Sequence, residues 1–131
     1  SIMANNLFKL GHYYSNVNYS KNAKSMLNNV KENTIKYGAG ASNWLNLYSN
    51  YVGEFYEVAI SGKKAKEKLK EINQKYIPNK LLVGSEKDSK LPLLELKYSE
   101  NETTIYICID GACKLPVNDT SKALEQIIIQ Y

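Results

Sequence analysis

The stretch Phe55-Tyr56-Glu57-Val58-Ala59-Ile60-Ser61-Gly62, with the lysine-rich segment Lys63–Tyr76 and Lys80-Leu81-Leu82-Val83-Gly84 behind it, decides the fold. Residues 55–60 are aromatic and aliphatic with a β-branched bias, which reads as a strand. Ser61-Gly62 is a tight exit. Ala65, Leu69, Ile72 and Tyr76 then recur at steps of four, three and four, the spacing of one helix face. Ile77-Pro78-Asn79 stops that helix, because a proline disfavours helical backbone in the residue before it. Lys80–Gly84 is a second strand. Strand, helix and strand within about thirty residues form a βαβ unit, in which the two strands run parallel and the crossover is right-handed.

Beyond that unit, Ser85–Lys90 is a polar loop. Leu91–Tyr98 fits either a helical turn after Pro92 or a strand, and Ser99–Glu102 is a turn. Thr103–Ile109 is a strand rich in β-branched residues, broken by Gly111. Asn118 or Asp119 caps a last helix with the face Leu124, Ile127, Ile128 and Tyr131.

Before residue 55 the spacing is helical throughout. Met3, Leu7, Leu10 and Tyr14 mark a first helix; Ala23, Met26, Leu27, Val30 and Tyr37 line a second, Tyr19–Lys36. The short polar link Ser15–Asn18 makes these two an antiparallel hairpin. Gly38 and Gly40 stop the second helix. Ser42 opens a third, Asn43–Val52, with Trp44, Leu45, Tyr48, Tyr51 and Val52 inward. The expected fold is therefore α+β or α/β. A helical segment, 1–53, precedes a small three-layer-like lobe, 54–131, with a short, mainly parallel sheet of about three strands.

Composition excludes several classes. The 131 residues are 44% hydrophobic, which suits one domain or two small lobes. No apolar run approaches the ~20 residues of a membrane span, and no signal-peptide pattern is visible, so a cytoplasmic protein away from membranes is expected. All 17 basic residues are lysine. Arginine is the preferred bidentate reader of phosphate and bases, so its absence argues against a nucleic-acid partner. Residues 63–90 hold nine Lys against four acids, which reads as a solvated helix face.

Few residues offer chemistry. Cys108 and Cys113 flank Ile-Asp-Gly-Ala. They read as one buried and one loop thiol, as a local disulfide or redox pair, or as metal ligands with His12; a cytoplasmic protein would keep them reduced. No second cysteine pair completes a zinc site, and no metal or cofactor is expected. Ser61-Gly62 ends a strand and opens a helix, where backbone N–H groups can hold an anion; it lacks both phosphate-loop signatures, and any such junction needs small residues. His12, Tyr13, Trp44 and Tyr48 lie on helices, where aromatics line a sugar cleft or fill a core with polar tips. No nucleophile is spaced to work with His12, the single histidine.

Several stretches, in order, resemble a known family. They are Met3-Ala4-Asn5-Asn6-Leu7-Phe8-Lys9-Leu10, Glu57–Gly62, Tyr76-Ile77-Pro78-Asn79-Lys80, Leu91-Pro92-Leu93-Leu94, Tyr106-Ile107-Cys108 and Cys113-Lys114-Leu115-Pro116-Val117. The series resembles the C-terminal end of the DUF255 or YyaL-like thioredoxin domain-containing proteins, related to spermatogenesis-associated protein 20. The resemblance implies an upstream thioredoxin-like domain and an α/α toroid similar to N-acylglucosamine 2-epimerases and six-hairpin glycosidases. Residues 1–53 would be the toroid's last hairpins and 54–131 an appended lobe. Cys108 and Cys113 match the family's terminal cysteine pattern, and no catalytic residue carries over.

Two functions follow as expectations. The first is a non-catalytic C-terminal piece of a carbohydrate-enzyme-like protein, in keeping with a chain that opens Ser1-Ile2-Met3-Ala4 directly on a helix. Its partner would be the rest of the parent chain, or a second copy through exposed helix faces. The alternative is an independent α/β redox or anion-binding module using Cys108/Cys113 and the Ser61-Gly62 helix N-terminus.

Overall fold

A computed structural model describes residues 1–127. The positions Ile128 and Tyr131 of the expected last helix face lie outside the described residues. The chain separates into two compact units, Ser1–Glu54 and Phe55–Tyr131.

The first unit holds α1 (Ile2–Tyr13), α2 (Val17–Tyr37), a single 3-10 turn (Gly38–Ala41) and α3 (Ser42–Val52). Asn16 starts α2: its side-chain oxygen accepts from the backbone N–H of Asn18 at 3.0 Å and of Tyr19 at 3.1 Å. That satisfies donors a helix end leaves orphaned. Gly38, at φ +51°, ends α2 in backbone that a side chain would strain.

The buried stripe of α1 differs from the expected one. Ala4, Phe8 and Gly11 are buried, whereas Met3, Leu10 and Tyr14 are exposed. Gly11 is the cause. A Cβ there would lie 2.3 Å from Ser20 Oγ and 3.1 Å from Ser20 N, so α2 crosses α1 at a point only glycine permits. The contact face turns toward Gly11 and away from the larger side chains. Ala23, Leu27 and Thr34 face inward on α2, and Leu47 on α3; Tyr37 and Val52 are exposed, contrary to the spacing argument.

The second unit is an α+β lobe: β1 (Tyr56–Ser61), α4 (Ala65–Asn73), β2 (Lys80–Ser85), β3 (Thr104–Ile109), β4 (Ala112–Cys113) and α5 (Thr120–Glu125). The strand order is β2-β1-β3-β4. β1 and β2 pair in parallel from Tyr56↔Lys80 to Ser61↔Ser85, as the βαβ reading requires. The sheet is otherwise antiparallel, with four strands rather than a mainly parallel three. The reason lies in the connection. β2 finishes beside Ser61, and β3 starts opposite the same residue, so the chain never crosses to the other end of the sheet. Residues 91–97 form a helical turn rather than a strand: Glu95 N–H donates to Leu91 O at 2.9 Å and Lys97 N–H to Leu94 O at 3.2 Å.

Strand side chains alternate between faces. Tyr56, Val58, Ile60, Ile105 and Ile107 form the core with Ala65 and Ile72 of α4, Ile77, Ala123 of α5 and Ile127. Tyr76, expected to complete the α4 stripe, lies beyond the helix and is 80% exposed. Glu57, Ala59 and Ser61 of β1 lie on the other face with Thr104, Tyr106 and Cys108 of β3. The 91–97 turn reaches this face, with the Lys97 ammonium 5.2 Å from the Tyr106 ring centroid. The lobe thus carries helices on one sheet face and a turn segment on the other. All six β1 residues are buried.

Candidate functional site

The chemistry of the lobe gathers at the β3–β4 hairpin. Asp110 and Gly111 have φ of 48° and 80°. Two successive left-handed residues make the tight turn whose twist matches its strands, and Asp-Gly is a favoured sequence for it. A two-residue turn sets Ile109 opposite Ala112 and Cys108 opposite Cys113. Lys114 N–H donates to Ile107 O at 2.8 Å, so the cysteines occupy the close, non-hydrogen-bonded pair of the ladder. Their sulfurs form a disulfide of 2.01 Å, with Cα atoms 3.8 Å apart. Of the alternatives open in the sequence, the geometry takes the local disulfide. Cys108 is 1% exposed, and Cys113 is open to solvent.

Beside the disulfide is a residue that the sequence argument passed over. Glu57 sits opposite Cys108 in register and is 3% exposed. Its Oε2 accepts the backbone N–H of Gly111 at 3.0 Å, so a buried carboxylate holds the turn. The signal was available: one Glu inside an otherwise apolar strand is a group that must find partners when buried. Lys97 faces the same region. Its ammonium donates to Leu93 O at 2.7 Å, and burial lowers its pKa, with the Glu57 charge pulling the other way.

The Ser61-Gly62 turn is a closed junction. Gly62, at φ +136°, packs against the backbone of Glu102 and Thr103, and the Thr103 hydroxyl accepts Lys64 N–H at 2.9 Å. Thr103 therefore supplies an oxygen where an anion would supply its own. Ser61 Oγ is buried with no hydrogen-bond partner among the described residues. A surface pocket of about 380 Å³ near this end of α4 is lined by Lys63, Lys64 and Lys68, but also by Glu100 and Glu102, so its charge is mixed.

The aromatic candidates on the helices have separate partners. The His12 ring meets Phe8 edge-on at 4.6 Å, and Phe8 meets Tyr51 at 5.0 Å. Tyr48 takes the Lys31 ammonium at 5.1 Å from its ring centroid. Tyr13 and Trp44 are half-buried. No group of three or more His, Cys, Asp or Glu side chains among the described residues is placed to hold a metal. No helix among them is long and apolar enough to cross a membrane.

No protein-family model, curated protein or solved structure matches this chain.

Proposed function

We propose that this chain is a non-catalytic part of a larger thioredoxin domain-containing, carbohydrate-enzyme-like protein of the DUF255 or YyaL-like kind. Its helices are the last hairpins of an α/α toroid, and its α+β lobe is the appended cover. The observation that carries this reading is the unfinished burial of the helical unit. Three helices bury Ala4, Phe8, Ala23, Leu27 and Leu47, while Ile2, Met3, Val17, Ile35, Tyr37 and Val52 are each at least 60% exposed. Packing against a missing neighbour would cover these side chains. The partner is the rest of the parent chain, with neither nucleic acid nor a cofactor bound by this part.

The series of short motifs supports the same reading. Within the lobe, Glu57–Gly62 is β1 and its exit, and Tyr76–Lys80 is the turn into β2. Leu91–Leu94 belongs to the turn segment, and Cys108 and Cys113 close the hairpin.

Immunoblotting of source cells with an antibody raised to this chain tests the proposal. The expected band is several times the chain's 14.9 kDa. A native band at the mass of the chain itself overturns it.

A further inference from the structure

We propose that the Cys108–Cys113 bridge is a thiol–disulfide exchange site that a dithiol reductant attacks at Cys113, and that opening it loosens the tip of the β3–β4 hairpin. This goes beyond the reading above and does not depend on it.

Three observations converge. First, the bridge is asymmetric. Cys113 lies on an exposed two-residue strand, whereas Cys108 is buried in β3. Exchange requires a thiolate to reach a sulfur, so only the Cys113 side is open to attack. Second, the turn beside Cys113 is open, since Asp110, Gly111 and Ala112 are also exposed. Third, β4 itself is short, and it pairs with β3 at only two register positions, one of them the cysteine pair itself. The chain beyond it is held by the Lys114 N–H bond to Ile107 O and the Ile105–Val117 bridge. The bridge spans the base of the turn whose Gly111 N–H donates to the buried Glu57 carboxylate. Opening the bridge loosens that turn.

A thiolate of the dithiol attacks Cys113 Sγ and forms a mixed disulfide. The Sγ–Sγ bond breaks, and its electron pair leaves on Cys108 Sγ, which takes up a proton. The second thiol of the reductant loses its proton and attacks the mixed disulfide. Cys113 departs as thiolate and is protonated. Two electrons and two protons pass to the chain, and the dithiol becomes a disulfide.

The test uses the full chain with dithiothreitol as the dithiol. Under native conditions the bridge should open while the far-ultraviolet circular dichroism stays unchanged. Amide hydrogen exchange should then rise at residues 110–114 and stay constant across β1. In parallel, the Cys113 thiol of the Cys108→Ser chain should react with an aromatic disulfide reagent at least about tenfold faster than the Cys108 thiol of the Cys113→Ser chain, because an accessible thiol reacts and a buried one is inert. A bridge that opens only in denaturant overturns the proposal, and so do equal or inverted thiol rates. The dithiothreitol arm needs no variant, so a misfolded substitution leaves the proposal testable.

Discussion

Glu57 and Gly111 stand fifty-four residues apart in the chain and are joined by one hydrogen bond, from the Gly111 N–H to Glu57 Oε2 at 3.0 Å. The bond ties the central strand of the lobe to the tip of its last hairpin. It gives a buried carboxylate one of its donors, and the Lys97 ammonium acts on its charge from the same region.

Replacing that acid should therefore weaken the lobe. Glu57→Ala leaves the Gly111 N–H without its acceptor, and the expected loss is about 2–3 kcal/mol, the scale of a hydrogen bond to a charged group. Glu57→Gln keeps an acceptor oxygen and should cost less. Urea unfolding of the two variants checks the order, and an Ala variant as stable as the parent chain contradicts it.

Two glycines should respond in opposite ways. A Cβ on Gly62 would come within 2.5 Å of Thr103 Cα and 2.6 Å of the Glu102 carbonyl, at φ +136°. Both neighbours are backbone and cannot swing aside, so Gly62→Ala should lose at least about 3 kcal/mol. Gly40 has nothing within 4 Å of its Cβ position. Gly40→Ala should be neutral or stabilising by up to about 1 kcal/mol, through a less flexible unfolded chain. Thermal melts of both proteins read the difference directly.

Ile72 and Tyr76 share a helical spacing but not an environment. Ile72 is fully buried against the sheet, and Tyr76 is 80% exposed beyond the end of α4. Ile72→Ala should cost about 2–5 kcal/mol, from lost burial plus the cavity left behind. Tyr76→Ala should stay within about 0.5 kcal/mol of the parent, as surface substitutions do. Equal costs in denaturant titrations would mean that Tyr76 packs in the core after all.

Lys97 should tie lobe stability to alkaline pH. Burial lowers its pKa from the usual value near 10.5, and the Glu57 charge only partly offsets this. In the window between the lowered folded value and the ordinary one, the unfolded chain binds more protons than the folded lobe. Stability contributed by this group therefore rises with pH across that window. Lys80, whose pKa burial also lowers, acts in the same direction. In the helical unit Tyr51, raised by burial, acts oppositely above its ordinary value of 10.0, where the unfolded chain gives up its proton first. Lys97→Met should flatten the rise in the urea midpoint of the lobe as the pH approaches the ordinary lysine value of 10.5 from below. An unchanged slope would show that Lys97 titrates alike in both states.

The local grammar of the chain was legible without a structure. The strand expected at 55–60, the helix at 63–76 and the strand at 80–84 rest on side-chain period and on the stops at Gly62 and Pro78; they fall on β1, on a shorter α4 and on β2. Their parallel pairing follows from the length of the connection. A cap at Asn118 or Asp119 was legible because such side chains reach a nearby N–H, and the structure takes Asp119, which accepts from Ser121 N–H at 3.3 Å. These interactions span a few residues, so the sequence contains both partners side by side.

Tertiary structure alone decided the rest, because the deciding partner lay far along the chain. Hydrophobicity put Met3, Leu10 and Tyr14 inward on α1, yet the approach of Ser20 over Gly11 turned Ala4 and Phe8 to the interior. Nothing in residues 103–109 states a direction, and β3 runs antiparallel to β1 because it starts at the end of the sheet where β2 stops. The spacing of Cys108 and Cys113 allowed a thiol pair or a disulfide, and the two-residue Asp110-Gly111 turn set them face to face. Glu57 read as one polar residue in a strand until the hairpin folded over it. Period and punctuation are properties of neighbours in sequence, whereas burial and pairing belong to whichever distant segment arrives.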